Sequence, residues 1–174
     1  MKKLVLIGYM GCGKSFISKE LSVETEIKYL DLDEVIEKKS KKSIEELFKS
    51  KRELYFRKLE NEILVEILNI KESLILSTGG GTPCYYNNIE IMNSSDTISV
   101  YLKASIETLY ARLVLEKSKR PLLSNFENSD LKEFIAKHLF ERSFYYNQAK
   151  YVVNVDTKSS KEIVSELKNI IYSK

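Results

Sequence analysis

The chain is expected to fold as an α/β protein, a parallel sheet with helices on both faces. Three observations lead there. Short apolar runs recur along its 174 residues, helical patterns separate them, and the glycines are few and clustered. Strands alternating with helices argue for βαβ units. Runs rich in Val, Ile, Leu and Tyr suit strands buried on both faces. At 43% hydrophobic residues the chain can bury a proper core, and its length suits one domain. The six glycines are Gly8, Gly11, Gly13, Gly79, Gly80 and Gly81. Permissive backbone is thus concentrated at two places, which suggests close approach of main chain to a ligand.

The first expected strand, Leu4–Ile7, runs into Gly8-Tyr9-Met10-Gly11-Cys12-Gly13-Lys14-Ser15, which matches G-x-x-x-x-G-K-[ST]. Ile17 and Leu21, four residues apart, begin the helix that follows. Glycines let successive N–H groups point inward at phosphate oxygens, and the helix turns its positive end to the same anion. Lys14 reaches the outer phosphates, and Ser15 offers a hydroxyl to Mg²⁺. Cys12 fills a position that needs a small residue and takes no catalytic role.

A second strand, Ile27–Leu30, ends at Asp31-Leu32-Asp33, where ligands of an α/β sheet gather. Strand alternation puts the two aspartates on one side. One carboxylate can join a Mg²⁺ shell while the other accepts from an acceptor hydroxyl. The alternative is a loop aspartate capping the next helix, a task open to Asp33. Ser43 and Glu46 form a capping box ahead of Leu47 and Phe48, and Leu59, Ile63 and Ile67 stripe a long helix. Residues 32–61 therefore read as a charged helical insertion on the core.

The third strand, Leu74–Leu76, enters Ser77-Thr78-Gly79-Gly80-Gly81-Thr82-Pro83, whose bare N–H groups make good donors to a polar ligand. Cys84, Tyr85 and Tyr86 beyond it read as packing. A fourth strand, Ile98–Leu102, precedes a helix striped by Ile106, Leu109, Tyr110 and Leu113. The polar stretch 117–129 has the character of a mobile lid. Arg120 within it is either a cation closing over the transferring phosphoryl group or an exposed arginine. Leu131, Phe134, Ile135 and Leu139 stripe the next helix; Tyr151–Val155 is the fifth strand, and Ile163, Leu167, Ile170 and Ile171 mark the last helix. His138, the single histidine, stands apart from every motif and takes no role.

Composition narrows the function. With 28 Lys and Arg against 25 Asp and Glu, the net charge of +3 is too mild to imply nucleic acid. The cluster Lys38-Lys39-Ser40-Lys41-Lys42 suits a solvated helix end. Two cysteines make no disulfide framework, and no apolar stretch is long enough to span a bilayer. The expectation is a reduced, cytoplasmic protein without membrane or nucleic-acid partners. An N-K-x-D motif and a D-x-x-G switch are both absent, which excludes the usual GTPase, and the chain is short for a motor. A small-molecule kinase remains. It needs a second pocket, a group at the acceptor hydroxyl, cations at the phosphoryl group and exclusion of water.

Taken together, Gly8–Ser15, Asp31-x-Asp33, "FKSKRELYFRKLE" at 48–60, "STGGGTP" at 77–83, "RPLL" at 120–123 and "ERSFYYNQA" at 141–149 resemble the shikimate kinase family in order and rough spacing. The resemblance implies the nucleoside monophosphate kinase fold: three layers, α/β/α, with a five-stranded parallel sheet in the order 2-3-1-4-5. It implies one domain over 1–174, with a substrate-binding region about 32–61 and a lid about 117–129. The implied reaction moves the γ-phosphoryl group of ATP, with Mg²⁺, to the 3-hydroxyl of shikimate on the route to aromatic amino acids. Gly11, Cys12, Gly13, Lys14, Ser15, Phe16, Arg112 and Arg120 would contact ATP, and Ser15 and Asp31 would support the metal. Asp33 would bind the reacting hydroxyl. Arg57 and Arg142 would grip the carboxylate, with backbone at Gly79, Gly80 and Gly81 against the substrate. Lys14, Asp33 and Arg120 would carry the chemistry, in a protein expected to be a monomer.

Without the resemblance, Arg57 would be assigned to an ion pair with Glu53 or Glu60, and Arg142 to the surface beside Glu141. Arg52 departs from the family pattern, which has glycine there. A left-handed turn would be strained with arginine, so a different helix junction is expected. The rivals are a kinase of the same fold acting on gluconate, a nucleotide or another small alcohol, and a nucleotide-gated binding module without turnover.

Overall fold

A computed structural model of the chain describes residues 2–116, 123 and 126–173, leaving aside the side chains of 50–52 and 128–129. The expected lid arginine, Arg120, and residues 117–122, 124 and 125 of the expected lid lie outside the described residues.

Five parallel strands form one sheet: β1 (Lys3–Ile7), β2 (Lys28–Asp31), β3 (Leu74–Ser77), β4 (Thr97–Lys103) and β5 (Tyr151–Asn154). Their order is β2-β3-β1-β4-β5. The central strands β1 and β3 are buried throughout, as continuous apolar runs require, whereas of the edge strands β2 is mostly half-buried and β5 largely exposed. Register aligns the strand ends that matter: Leu6 pairs with Ser77, and Ser77 with Asp31. The loops leaving β1, β2 and β3 therefore emerge side by side at one edge.

The helices are α1 (Lys14–Thr25), α2 (Leu32–Ser40), α3 (Ile44–Leu68), α4 (Asn88–Met92), α5 (Ile106–Glu116), α6 (Asn128–Tyr146) and α7 (Ser160–Tyr172), with a 3₁₀ turn at Thr82–Cys84. α1 packs on β1, β2 and β3 with α7 beside it, while α4 packs on β4 with α3 against it. The result is the three-layer α/β/α arrangement. No described helix is long and apolar enough to cross a membrane.

Local chemistry starts these helices where the sequence indicates. Ser43 and Glu46 form the expected capping box at α3, and Ser159 and Glu162 form a second at α7. The helix junction at Arg52 is settled, and one expectation changes. α3 is one continuous helix through position 52, so no left-handed residue is needed there and arginine is unstrained. α2 begins directly after Asp31, so Asp33 is helical rather than part of the strand. The aspartates are neighbours because Asp31 caps the helix that carries Asp33, and not because they alternate along a strand. α3 runs on past residue 61 into the core, where Ile63, Leu64 and Ile67 are buried.

Candidate active site

The glycine loop begins where β1 ends and closes at the N-terminus of α1. Gly13 is the N-cap, at φ 103°, and supplies no capping side chain. That backbone angle favours glycine, and it leaves the first N–H groups of α1 without a side-chain acceptor, as an anion site needs. Lys14 is buried, and its Nζ donates to the carbonyls of Gly8 (2.8 Å) and Tyr9 (3.1 Å), tying the end of the loop to its start. Arg112 Nη1 donates to the carbonyls of Gly11 (3.1 Å) and Cys12 (3.2 Å) from α5. Cys12 is buried, whereas Phe16 is exposed.

Ser15 Oγ donates to Asp31 Oδ2 at 2.8 Å and lies 3.2 Å from Ser77 Oγ. Asp31 Oδ1 accepts from the Asp33 amide at 3.0 Å, and Tyr29 donates to Asp31 Oδ2 at 3.2 Å. The capping task left open to Asp33 thus falls to Asp31. Hydroxyl and carboxylate oxygens gather here, the donor type a hard cation takes. Among the described residues, no group of three His, Cys, Asp or Glu side chains is arranged to hold a metal. A Mg²⁺ ion needs no such group when substrate phosphates and water supply its other ligands.

A cavity of about 500 Å³ joins the glycine loop to Asp31, Asp33, Thr78, Gly79 and Gly80. Arg112, Lys158 and Ser160 also line it. Ser160 opens α7 and Lys158 lies just before it; the capping box at Ser159 marks that helix start in the sequence, but nothing there ties it to the glycine loop. The Asp33 carboxyl is pushed up from 3.8 to about 6, first by burial, then by the Asp31 and Glu60 carboxylates, against Lys14 and Arg57. It titrates just below neutrality, in the range useful to a group that receives a proton.

On the other side stands Arg57, 8% exposed. Its Nη1 donates to Glu60 Oε2 at 2.9 Å, and its Nε and Nη2 donate to Glu53 Oε1 at 3.3 Å each. Both ion pairs open to it are therefore made. Glu60, fully buried, also accepts from Thr82 Oγ1 at 2.7 Å. A Cβ on Gly81 would lie 2.6 Å from Arg57 Nη2, so this glycine is required by close packing against the guanidinium. The triple glycine thus does more than present N–H groups.

Arg142 Cζ lies 5.7 Å from the Tyr9 ring centroid rather than out on the surface. One turn away, His138 Nδ1 lies 3.3 Å from Tyr9 Oη. Tyr146 donates to the Gly80 carbonyl at 2.5 Å. α6 is thereby fixed to both glycine segments, and His138 is not remote from the motifs. The Cys84 thiol is raised to about 11 by burial, against Arg142 and Arg57, which makes it a poor nucleophile. Tyr85 is the residue whose surroundings depart furthest from its expected packing role. Its ring faces Arg57, with the centroid 4.3 Å from Cζ, and its hydroxyl donates to Glu53 Oε1 at 3.0 Å.

Comparison with known proteins agrees with this architecture. A family model described as shikimate kinase matches residues 10–172. A shikimate kinase of Flavobacterium johnsoniae is 54% identical over 171 residues, covering 98% of this chain and 99% of that protein. The crystal structure of shikimate kinase from Bacteroides thetaiotaomicron superposes with a TM-score of 0.91 at 34% identity, covering 99% of each chain. Shikimate kinase from Acinetobacter baumannii in complex with shikimate gives 0.86 at 27% identity, covering 98% of this chain and 93% of that one.

Proposed function

Because this chain belongs to the shikimate kinase family, we propose that it moves the γ-phosphoryl group of ATP to the 3-hydroxyl of shikimate. The product is shikimate 3-phosphate, on the route to chorismate and the aromatic amino acids. The observation that carries the assignment is the continuous cavity holding both the Lys14 loop and the half-buried Asp33.

The amides of Gly11, Gly13 and the first turn of α1 bind the phosphates, with Lys14 adding a positive charge. Cys12, Ser15 and Phe16 complete the nucleotide contacts, and Arg112 holds the loop in shape. Ser15 Oγ and the Asp31 carboxylate are the protein groups suited to Mg²⁺, which when bound would neutralise phosphate charge. Arg57 and Arg142 hold the acceptor carboxylate, with main chain of Gly79, Gly80 and Gly81 against the substrate. Asp33 orients the 3-hydroxyl and receives its proton. The acceptor oxygen forms the new bond to phosphorus as the bond to the ADP oxygen breaks, so the electron pair leaves with ADP. Arg120 supplies further positive charge to the transferring group. The enzyme works as a monomeric single domain with a lid near 117–129, and a cytoplasmic setting suits its two free thiols, Cys12 and Cys84.

A coupled assay of ADP release tests the assignment. Release should depend on shikimate, and Lys14→Ala should abolish it while the protein stays folded. ADP release indifferent to shikimate, or supported better by gluconate, would overturn the acceptor.

A further inference from the structure

Arg57 is held from two directions. Tyr85 covers the face of its guanidinium at 4.3 Å, closer than Phe56 (5.1 Å) or Phe48 (5.8 Å). Glu53 holds its edge through Nε and Nη2, using the same Oε1 that accepts the Tyr85 hydroxyl at 3.0 Å. Glu60 takes Nη1. A guanidinium has five N–H groups. These bonds use three of them, and the remaining two carry no bond among the described residues.

Glu53 is the loose member of this set. Its side chain is 54% exposed, against 9% for Arg57 and 1% for Glu60. A carboxylate so open to water can rotate and compete for the N–H groups that an acceptor carboxylate needs. The Tyr85 hydroxyl pins the very oxygen that would move, while its ring keeps the guanidinium plane from tilting.

We propose that Tyr85 is a positioning residue for acceptor binding: through its ring and through Glu53 it holds Arg57 with two N–H groups available to the carboxylate of the acceptor. This rests on the assignment of Arg57 to that carboxylate. Tyr85 touches neither the Lys14 loop nor Asp33 through any hydrogen bond among the described residues, so its effect falls on acceptor binding rather than on the chemical step.

The test uses the full-length enzyme. Tyr85→Phe keeps the ring and removes the hydroxyl, and should raise the shikimate KM about five- to tenfold with kcat and the ATP KM unchanged. Tyr85→Leu removes both contacts and should raise it further. The methyl ester of shikimate separates positioning from general damage. Wild type should lose much of its affinity for the ester, whereas Tyr85→Leu should lose less, because its Arg57 is already misplaced. Affinities are read from the ligand-induced rise in melting temperature as well as from rates. An unchanged shikimate KM in Tyr85→Phe, or equal losses on acid and ester in Tyr85→Leu, would overturn the proposal. A wild-type enzyme inert toward shikimate would overturn the functional assignment and this one with it; failure of the variants alone leaves that assignment standing.

Discussion

Replacing Gly81 with alanine adds one methyl group at the point where main chain meets Arg57. Gly81 has φ −90° and ψ −17°, an ordinary conformation for any residue, so Gly81→Ala carries no backbone strain. Its whole effect comes from the new Cβ, which would stand 2.6 Å from Arg57 Nη2, 2.8 Å from Nη1 and 2.9 Å from Cζ. Non-bonded heavy atoms prefer about 3.5 Å or more, so the guanidinium must withdraw by roughly 0.7–1 Å. It cannot do so freely. Tyr85 and Phe56 stand over it and Glu60 holds Nη1 at 2.9 Å. Weakening that bond and crowding the pocket should cost about 1–2 kcal/mol of stability. A misplacement of this size should lower kcat/KM for shikimate by about 10²-fold, chiefly through KM, and leave the ATP KM unchanged. Initial rates of ADP release against shikimate concentration at saturating ATP, with thermal melts of the same samples, measure both. Gly80→Ala is the internal control. Its Cβ would meet the Met10 amide nitrogen at 3.3 Å and Arg142 Nη1 at 3.4 Å, so its effect should be smaller. A folded Gly81→Ala enzyme with the wild-type shikimate KM would refute the idea that this glycine makes room for an acceptor-binding arginine.

Asp33→Asn should abolish transfer yet stabilise the protein near pH 7 in nucleotide-free buffer containing chelator. The folded carboxyl binds its proton more tightly than the unfolded one, about 6 against 3.8, so wild type loses stability as pH rises through that interval and remains reduced above it. The full difference is worth about 3 kcal/mol, trimmed to about 1–2 kcal/mol because solvent reaches Asp33. Melts of both proteins should therefore diverge only above about pH 4, and a pH-independent gap would contradict the titration. The same group predicts that wild-type kcat/KM falls as pH drops below about 6, where Asp33 gains its proton. Glu60→Ala leaves Arg57 Nη1 and the Thr82 hydroxyl without their partner while Glu53 still pairs with the guanidinium, and should cost about 2–4 kcal/mol in urea unfolding. Glu60→Gln keeps an acceptor for one of them and should cost less; equal losses would argue against the bonded geometry.

Much of the fold was legible because its signals are local. The strand–glycine–helix entry to α1, the capping box at Ser43 and the buried apolar runs of β1 and β3 each depend on residues adjacent in sequence. Asp31 and Asp33 show the limit of this. Their proximity was expected, but it comes from helix capping rather than strand alternation, because α2 starts one residue after Asp31. A period of two could not tell those cases apart.

By itself the sequence determined a phosphate-binding loop, a parallel α/β sheet and two glycine segments at strand ends, since backbone angles and burial patterns are written in consecutive residues. Only the tertiary structure decided what those segments touch. Tyr85 and Gly81 meet Arg57 because α3 lies beside the turn after β3, and His138 meets Tyr9 because α6 crosses the glycine loop. Such contacts join residues far apart in the chain, and no local pattern encodes the distance between them.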